Sequence, residues 1–579
     1  MIKKIRAMLQ IYGREFGKLL QADGWFFVTL VILNLPIFLQ TFIFGDRLFT
    51  FRDLLSRSVA NFYTGAVLIL IFCAAVHFLL SRFQRAKFFL QALILACFAV
   101  FFVVDVFLIY KFGTTLHRHM IQSVLSTNFN EVGEFLQMCV LNPKIILGTA
   151  GAVLLIVLAV KLSRRFFHSL SEGNLSRLSY HLLIIFTPAL LVCAYWLCSF
   201  VLTVAKAAFD NTIFGRNFNN IFAAVSAIGN EPEIFAEMDS QDEKIISNDS
   251  KIPNVVFILG EATTRNHMQL YGYELPTTPL LVRRYENGEI FKFSDVIACA
   301  NYTLAAMEKI FTFAEKDDAE EQWYKTPNIF DILRRAGYHT FWLSNQSPRG
   351  WWGSIEKIYS ARCDEKFFAE SERAAIYERK FDGVLLPVLD EILTKPHEKN
   401  FYLVHLYGAH GKYRERYPED FAKFTAADEN KSTAEGKKIA AEYDNAILYN
   451  DYVVDEIIRR FEDKNALVIY IPDHGEEIFE DGREFYGHST EELGNRSMIE
   501  IPMLVWTSAK FRELYPEKIS ALAASVDNPY RTDFMIHTIL DLLDICSESF
   551  NPSKSVVNEK FDSFRLRIYN GEPYTLNKS

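Results

Sequence analysis

Glu261 follows the apolar run NVVFIL (254–259), and Asp473 and His474 follow ALVIYI (466–471) in a DHG triplet. Thr303 opens the apolar-periodic run LAAMEKIFTFA (304–314). Two carboxylates and an imidazole suit a divalent ion such as zinc, which takes three or four ligands in a roughly tetrahedral array. Such an ion can activate a hydroxyl as a nucleophile, and Thr303 is placed to supply one. A helix N-terminus at Thr303 would add unpaired N–H groups and a positive dipole end, which stabilise an alkoxide or a phosphate. The competing reading makes Thr303 an ordinary N-cap. Gly475, next after the Asp-His pair, is expected to permit a tight turn that aims both side chains at one ion.

These groups need elements to hold them. The runs NVVFIL (254–259), YHTFWLS (338–344), NFYLVHLY (400–407), ALVIYI (466–471) and IPMLVW (501–506) read as strands. Between them lie helical patterns such as TPNIFDILRRAG (326–337) and YNDYVVDEIIRRFED (449–463). Strands alternating with helices predict a largely parallel sheet covered on both faces. Functional groups in such sheets collect at the carboxyl ends of the strands, where Glu261, Asp473 and also His410 fall.

This domain is expected to begin near residue 251, behind a different kind of chain. Half of the 579 residues are hydrophobic and 51 are Phe. Residues 24–44, 62–83, 88–110, 144–162 and 180–205 are apolar and nearly charge-free, each about 20 residues long, enough to cross roughly 30 Å of hydrocarbon. Basic residues precede the first span and lie between spans two and three and between four and five. That places these three segments in the cytoplasm and the C-terminal domain outside. The first span has no small-residue cleavage site and reads as a retained anchor. Asp105 and His77, ionisable groups inside spans, are expected to face protein or water rather than lipid. Residues 206–250 carry eight acidic side chains and read as a linker with an amphipathic helix. The remainder of the chain beyond residue 250 holds 40 basic against 54 acidic side chains, which argues against a nucleic-acid partner. Its three cysteines, Cys299, Cys363 and Cys546, allow one disulfide or three single thiols.

Four segments together resemble the membrane-bound phosphoethanolamine transferases of the alkaline phosphatase and sulfatase superfamily. They are NVVFILGEATTRNHMQLYGYELPTTP (254–279), VIACANYTLAAMEKIFTFA (296–314), HLYGAHGKYRERYP (405–418) and PDHGEEIFEDGREFYGHS (472–489). The resemblance implies a five-helix transmembrane domain (1–205), a linker (206–250) and a periplasmic catalytic α/β domain of alkaline-phosphatase type (251–579). It implies that Glu261, Thr303, Asp473 and His474 bind zinc, with Thr303 also the nucleophile. His410 and His488 match histidines near the phosphate group, Glu476 a secondary acid, and Asn345 a polar residue near the head group. In HMIQSVLSTNFNEVGEFL (119–136), Thr127 and Glu131 match a lipid-head-group segment. Ala262 stands where the family often has Ser, Ser123 where it often has Asn, and Glu477 where it often has Ser. The wording ANYTLAA resembles the branch acting on lipopolysaccharide core sugars more than the lipid A branch.

The expected activity is therefore transfer of phosphoethanolamine from phosphatidylethanolamine to lipopolysaccharide or another envelope glycan, at the outer face of a bacterial inner membrane. Two alternatives stand beside it: a glycerol-phosphate transferase of the lipoteichoic-acid-synthase type, and a non-catalytic membrane scaffold. A sulfatase is disfavoured, because no C/S-x-P-x-R motif surrounds Thr303.

Overall fold

The computed structural model describes residues 2–44, 51–112, 114–126, 133, 136, 140–141, 143–170, 174, 209–228, 231–318, 322–348, 355–369, 381–395, 397–480, 485–488 and 495–576. The chain divides into two compact units, residues 1–122 with 135–227, and residues 123–134 with 228–579.

The first unit is helical: α1 (Ile2–Leu33), α2 (Leu35–Phe44), α3 (Phe51–Leu80), α4 (Gln84–Phe112), α5 (Pro143–Ser169) and α6 (Ile213–Ile228). Among the described residues four stretches are long and apolar enough to cross a membrane: Phe16–Gln40, Phe51–Leu80, Gln84–Phe112 and Ile145–Ser169. The expected fifth span, 180–205, lies outside the described residues. The first span starts earlier than its apolar run, and its helix is interrupted at Asn34. Pro36 cannot donate to the helical ladder, and Asn34 turns instead to α6, accepting from Ile213 N at 2.6 Å and donating to Asn211 O at 3.0 Å. Asp105 is fully buried within this bundle, where Arg216 pairs with it and Asn217 and the Leu116 N–H donate to it. His77 meets Asp23 at 2.5 Å, and Lys87 reaches the same carboxylate at 2.6 Å. Both intramembrane ionisable groups are thus satisfied by protein partners.

The second unit is built on a seven-stranded sheet: β1 (Asn254–Gly260), β2 (Ile290–Phe293), β3 (His339–Ser344), β4 (Glu365–Phe368), β5 (Asn400–His405), β6 (Ala466–Pro472) and β7 (Met503–Thr507), in the order β2–β7–β6–β1–β5–β3–β4. β1 is buried from Val255 to Gly260 and sits at the centre, flanked in parallel by β5 and β6. Side chains alternate across it. Val255, Phe257 and Leu259 join the layer containing Ala306, Met307 and Ile310 of α7 (Thr303–Ile310) and Ile332 and Leu333 of α8 (Ile329–Arg335). Val256 and Ile258 join the layer containing Tyr443, Ile447 and Val454 of α9 (Ala434–Arg459). Period-2 alternation between two helical layers explains why the run is apolar at every position.

The sheet is mixed, with β6, β1, β5, β3 and β4 joined by parallel pairings. β7 runs antiparallel to both β6 and β2. A parallel neighbour requires a crossover, usually a helix, to carry the chain back to the starting edge. Among the described residues between β6 and β7 there is only a short hairpin and a single 3₁₀ turn. The chain therefore stays at the carboxyl edge and re-enters the sheet in reverse. Cys299, Cys363 and Cys546 are free thiols.

Candidate active site

Glu261 is the first residue beyond β1 and Asp473 the first beyond β6. Backbone hydrogen bonds continue past the strand ends: Asp473 N donates to Gly260 O at 3.2 Å, and Thr263 N to His474 O at 3.0 Å. Ala262 N donates to Asp473 Oδ1 at 3.3 Å. The two segments are therefore held side by side, and their ligating atoms converge with those of His474 within 4.8 Å.

Gly475 works through space rather than through a left-handed turn. A β-carbon there would fall 2.1 Å from Ser497 O, while its N–H donates to Met498 O at 2.8 Å. Gly408 has the same relation to Glu261: φ is +55°, and a β-carbon would fall 2.5 Å from the Glu261 carbonyl oxygen.

His474 Nδ1 lies 2.7 Å from Gly475 O, which fixes the proton on Nδ1 and leaves the Nε2 lone pair free. That lone pair faces Glu261 Oε1 at 3.1 Å and Asp473 Oδ2 at 3.5 Å. Asp473 Oδ2 is buried and accepts no hydrogen bond among the described residues. Three electron-pair donors thus face one another. Burial pushes the Glu261 carboxyl up to about 7, against the opposing pull of His488 and Gln346. Burial, reinforced by the Glu261 charge, pushes Asp473 up to about 8. The donor set fits a divalent cation, whose charge would offset two buried carboxylates.

Thr303 begins α7 but is not its N-cap: Tyr302 holds that position, with extended φ of −155° and no side-chain cap. The Thr303 hydroxyl is instead turned to the cluster. It lies 3.2 and 3.3 Å from the Glu261 carboxylate oxygens, to which it donates, and 3.4 Å from His474 Nε2. The residue is half-buried, so its hydroxyl is within reach of a ligand.

Glu476 is buried and does not touch this trio directly. It accepts from Tyr413 Oη at 2.8 Å and holds His488 Nδ1 at 2.9 Å, which leaves His488 Nε2 free. The His488 ring lies 4.2 Å from that of His474 and 5.7 Å from that of His410, centre to centre. Burial and the neighbouring His488 and Arg416 charges hold His410 well below the ordinary histidine range, and its Nδ1 has no hydrogen-bond partner among the described residues. The imidazoles thus follow one another, His474 then His488 then His410, and His410 stands neutral.

The Asn345 amide donates to Asp382 Oδ1 at 2.8 Å. Its neighbour Gln346 donates from Nε2 to Glu261 Oε2 and Leu406 O, both at 3.1 Å. Asp382 also accepts from the N–H groups of Tyr407 and Gly408, at 2.7 and 2.9 Å, and so carries the loop that leads to His410. Gln346 and Asp382 were missed. The only signal for Gln346 was its place past the end of β3, since a one-residue change in register decides which of two adjacent amides faces inward. Thr127 and Glu131 lie outside the described residues.

A hydroxyl at a helix start, facing acidic and imidazole donors at the carboxyl edge of an α/β sheet, defines the class of enzymes that transfer phosphoryl or sulfuryl groups. Residues 253–545 match the model of the sulfatase family, and residues 68–202 match the model described as phosphoethanolamine transferase EptA/EptB. The chain belongs to the sulfatase family, in the phosphoethanolamine transferase branch of the alkaline phosphatase and sulfatase superfamily. It is 33% identical over 329 residues to phosphoethanolamine transferase EptC of Escherichia coli O18:K1:H7, covering 56% of each chain. The chain thus spans about half the length of the curated relatives it matches. The C-terminal periplasmic domain of the Escherichia coli EptC, solved in complex with Zn, aligns with a TM-score of 0.51 and 31% identity, over 55% of this chain and 90% of that one. The integral membrane lipooligosaccharide phosphoethanolamine transferase A of Neisseria meningitidis shares the fold over 91% of this chain and 97% of its own, with a TM-score of 0.57 and 22% identity.

Proposed function

We propose that this protein transfers phosphoethanolamine from phosphatidylethanolamine to a sugar or phosphate oxygen of lipopolysaccharide, in the core or on lipid A. In this reading residues 1–205 anchor the enzyme in the inner membrane, 206–250 link, and 251–579 act in the periplasm. The observation that carries the proposal is the Thr303 hydroxyl, half-buried at a helix start and 3.2 Å from the Glu261 carboxylate. Relatives named phosphoethanolamine transferases support the choice of transferred group.

Zinc on Glu261, Asp473 and His474, the metal bound by the Escherichia coli EptC domain, would supply Lewis acidity that favours the Thr303 alkoxide. The chain's own groups do the rest. Thr303 Oγ1, its proton lost to water as the alkoxide forms, bonds to phosphorus while the bond from phosphorus to the diacylglycerol oxygen breaks, and His488 delivers a proton to that oxygen. Glu476 orients His488 throughout by holding Nδ1. In the second half the acceptor oxygen attacks phosphorus, the Thr303 bond breaks to regenerate the alkoxide, and His488 takes the acceptor's proton. The membrane anchor has a physical reason here, since a two-chain lipid donor stays in the bilayer.

The test is acid quenching of the purified protein after mixing with phosphatidylethanolamine, then peptide mass spectrometry. Phosphoethanolamine should be found on Thr303, and Thr303→Ala should lose both the adduct and turnover while keeping its melting profile. A Thr303→Ala protein that still transfers would overturn the covalent route. Labelling from phosphatidylglycerol in place of phosphatidylethanolamine would overturn the donor.

A further inference from the structure

Past residue 567 the chain forms a short hairpin that the transfer chemistry does not use. Ile568–Tyr569 pairs antiparallel with Glu572–Pro573, and the turn between them is Asn570-Gly571, with φ of +52° and +76°. An Asn-Gly pair with both φ values positive makes the two-residue turn whose twist matches its flanking strands. Tyr574 N extends the ladder by donating to Arg567 O at 2.7 Å. Arg567 pins the base of the hairpin, with Nη1 and Nη2 on the two Asp295 carboxylate oxygens at 2.9 and 2.7 Å.

What the hairpin delivers is Tyr574. Its ring is buried, and the Arg496 guanidinium lies 4.5 Å from the ring centre. Its hydroxyl donates to Glu500 Oε1 at 2.7 Å and accepts from Arg265 Nη2 at 3.2 Å. Arg496 reaches back to the hairpin, donating from Nη2 to Thr575 O at 2.7 Å.

Glu500 is where two loops of the catalytic centre meet. Its carbonyl oxygen accepts from Arg265 N at 3.0 Å and from Thr264 Oγ1 at 3.2 Å, on the segment that leads away from Glu261. Its carboxylate accepts from Asn266 Nδ2 at 3.1 Å and from Arg496 Nε at 2.8 Å. Asn266 Nδ2 also meets Ser497 Oγ at 3.2 Å. Ser497 O is the atom that crowds Gly475, and Met498 O accepts from Gly475 N, so this turn holds His474 in place. Burial works against the Glu500 charge, but Tyr574, Arg265, Arg496 and Asn266 outweigh it and hold the carboxyl below the ordinary glutamate value. One ionised side chain thus ties the loop after Glu261 to the turn that backs His474, and Tyr574 caps it.

We propose that Tyr574 is a positioning residue for the metal centre, a role that rests on the reading of Glu261, Asp473 and His474 as zinc ligands. By fixing the Glu500 carboxylate it sets the spacing of the two ligand loops, and with it how tightly a divalent ion is held.

The test uses the full-length protein in detergent, stripped with chelator and dialysed against buffered zinc, with bound zinc counted by elemental mass spectrometry. Tyr574→Phe keeps the ring under Arg496 and removes only the hydroxyl. The free zinc needed for half occupancy should rise about 10-fold, the lower end of what loss of an outer partner of a metal ligand costs. Asn266→Ala cuts the link from Glu500 to Ser497, and adding Tyr574→Phe to it should raise the requirement by less than about a further twofold. Excess zinc should return kcat of Tyr574→Phe to within about threefold of the parent, because the hydroxyl touches no reacting atom. In the zinc-free proteins, amide exchange across residues 262–266 and 472–476 should be faster in Tyr574→Phe than in the parent. Unchanged zinc affinity in Tyr574→Phe, whatever its melting temperature does, would overturn the proposal. So would full additivity with Asn266→Ala, or a loss of rate that zinc does not restore. A parent that takes up no zinc would sink the metal reading and this role with it, an outcome separate from a parent and variant that bind zinc alike.

Discussion

Gly475→Ala tests whether the catalytic loop is as tightly held as its contacts imply. The added β-carbon would sit 2.1 Å from Ser497 O, where non-bonded carbon and oxygen keep about 3.3 Å. Some atom must move by about 1.2 Å. Ser497 is not free to yield, because its N–H is held by Asn495 Oδ1 at 2.9 Å and its hydroxyl accepts from Asn266 Nδ2 at 3.2 Å. The loop itself is tied to Met498 O through Gly475 N and to Thr263 N through His474 O. Overpacking of this kind costs about 1–3 kcal/mol. A displacement near 1 Å at a reacting group costs on the order of 100-fold in rate, or about 2.7 kcal/mol of barrier. The expected result is a folded protein, melting a few degrees lower, with kcat for a fluorescent phosphatidylethanolamine analogue down by about 100-fold. A variant within threefold of the parent in rate, with the same melting curve, would refute the argument that Ser497 fixes the position of Asp473 and His474.

Other perturbations follow from the same contacts. Gln346→Leu removes the amide that orients Glu261, and if zinc sits on Glu261 as proposed, half-maximal activity should need roughly 10–100-fold more free zinc; an unchanged zinc titration would rule out that role. Asp382→Ala leaves the Asn345 amide and two backbone N–H groups without their acceptor, at about 1–3 kcal/mol each before water enters, so both denaturant midpoint and turnover should fall. His267 supplies a pH dependence. Burial disfavours its charge, but Asp444 at 2.5 Å and Glu480 at 2.9 Å push it up to about 9. A raised histidine adds stability that is complete below its unfolded value near 6.5 and is lost as pH climbs through about 9. The melting temperature should therefore fall across that window more steeply in the parent than in His267→Gln, and parallel curves would contradict it.

Strand runs were the most legible part of the chain. NVVFIL and ALVIYI appear as strands with Glu261 and Asp473 immediately beyond them, because a doubly covered strand must be apolar throughout and its polar successor marks the edge. Direction was not legible: nothing inside IPMLVW distinguishes a reversed strand from a forward one, and the answer lay in the lack of a crossover helix among the described residues before it. Gly475 was noticed for the wrong reason, since close approach to Ser497 leaves no trace in local composition. The break in the first span was missed because Asn34 is satisfied by Asn211 and Ile213, partners far along the chain.

The geometry of the centre depends on one strained residue. Ala262, directly after Glu261, has φ of +51°, a left-handed conformation that costs a residue with a β-carbon about 1–2 kcal/mol. An extended continuation would alternate, sending 261 and 262 to opposite faces and carrying the chain onward past the sheet edge. The left-handed step turns it back at once, so that Thr263 N reaches His474 O and Ala262 N reaches Asp473. Tyr443 locks the turn from α9, donating to Ala262 O at 2.9 Å while its oxygen accepts from Thr264 N at 3.0 Å. A buried tyrosine thus holds two backbone groups that the strained turn takes out of the sheet ladder. The strain persists because the surrounding contacts over-determine it, which is the expected condition for backbone distortion at a functional site. It follows that Glu261 is held by backbone geometry on both sides, Ala262 ahead and Gly408 alongside, before any ligand arrives.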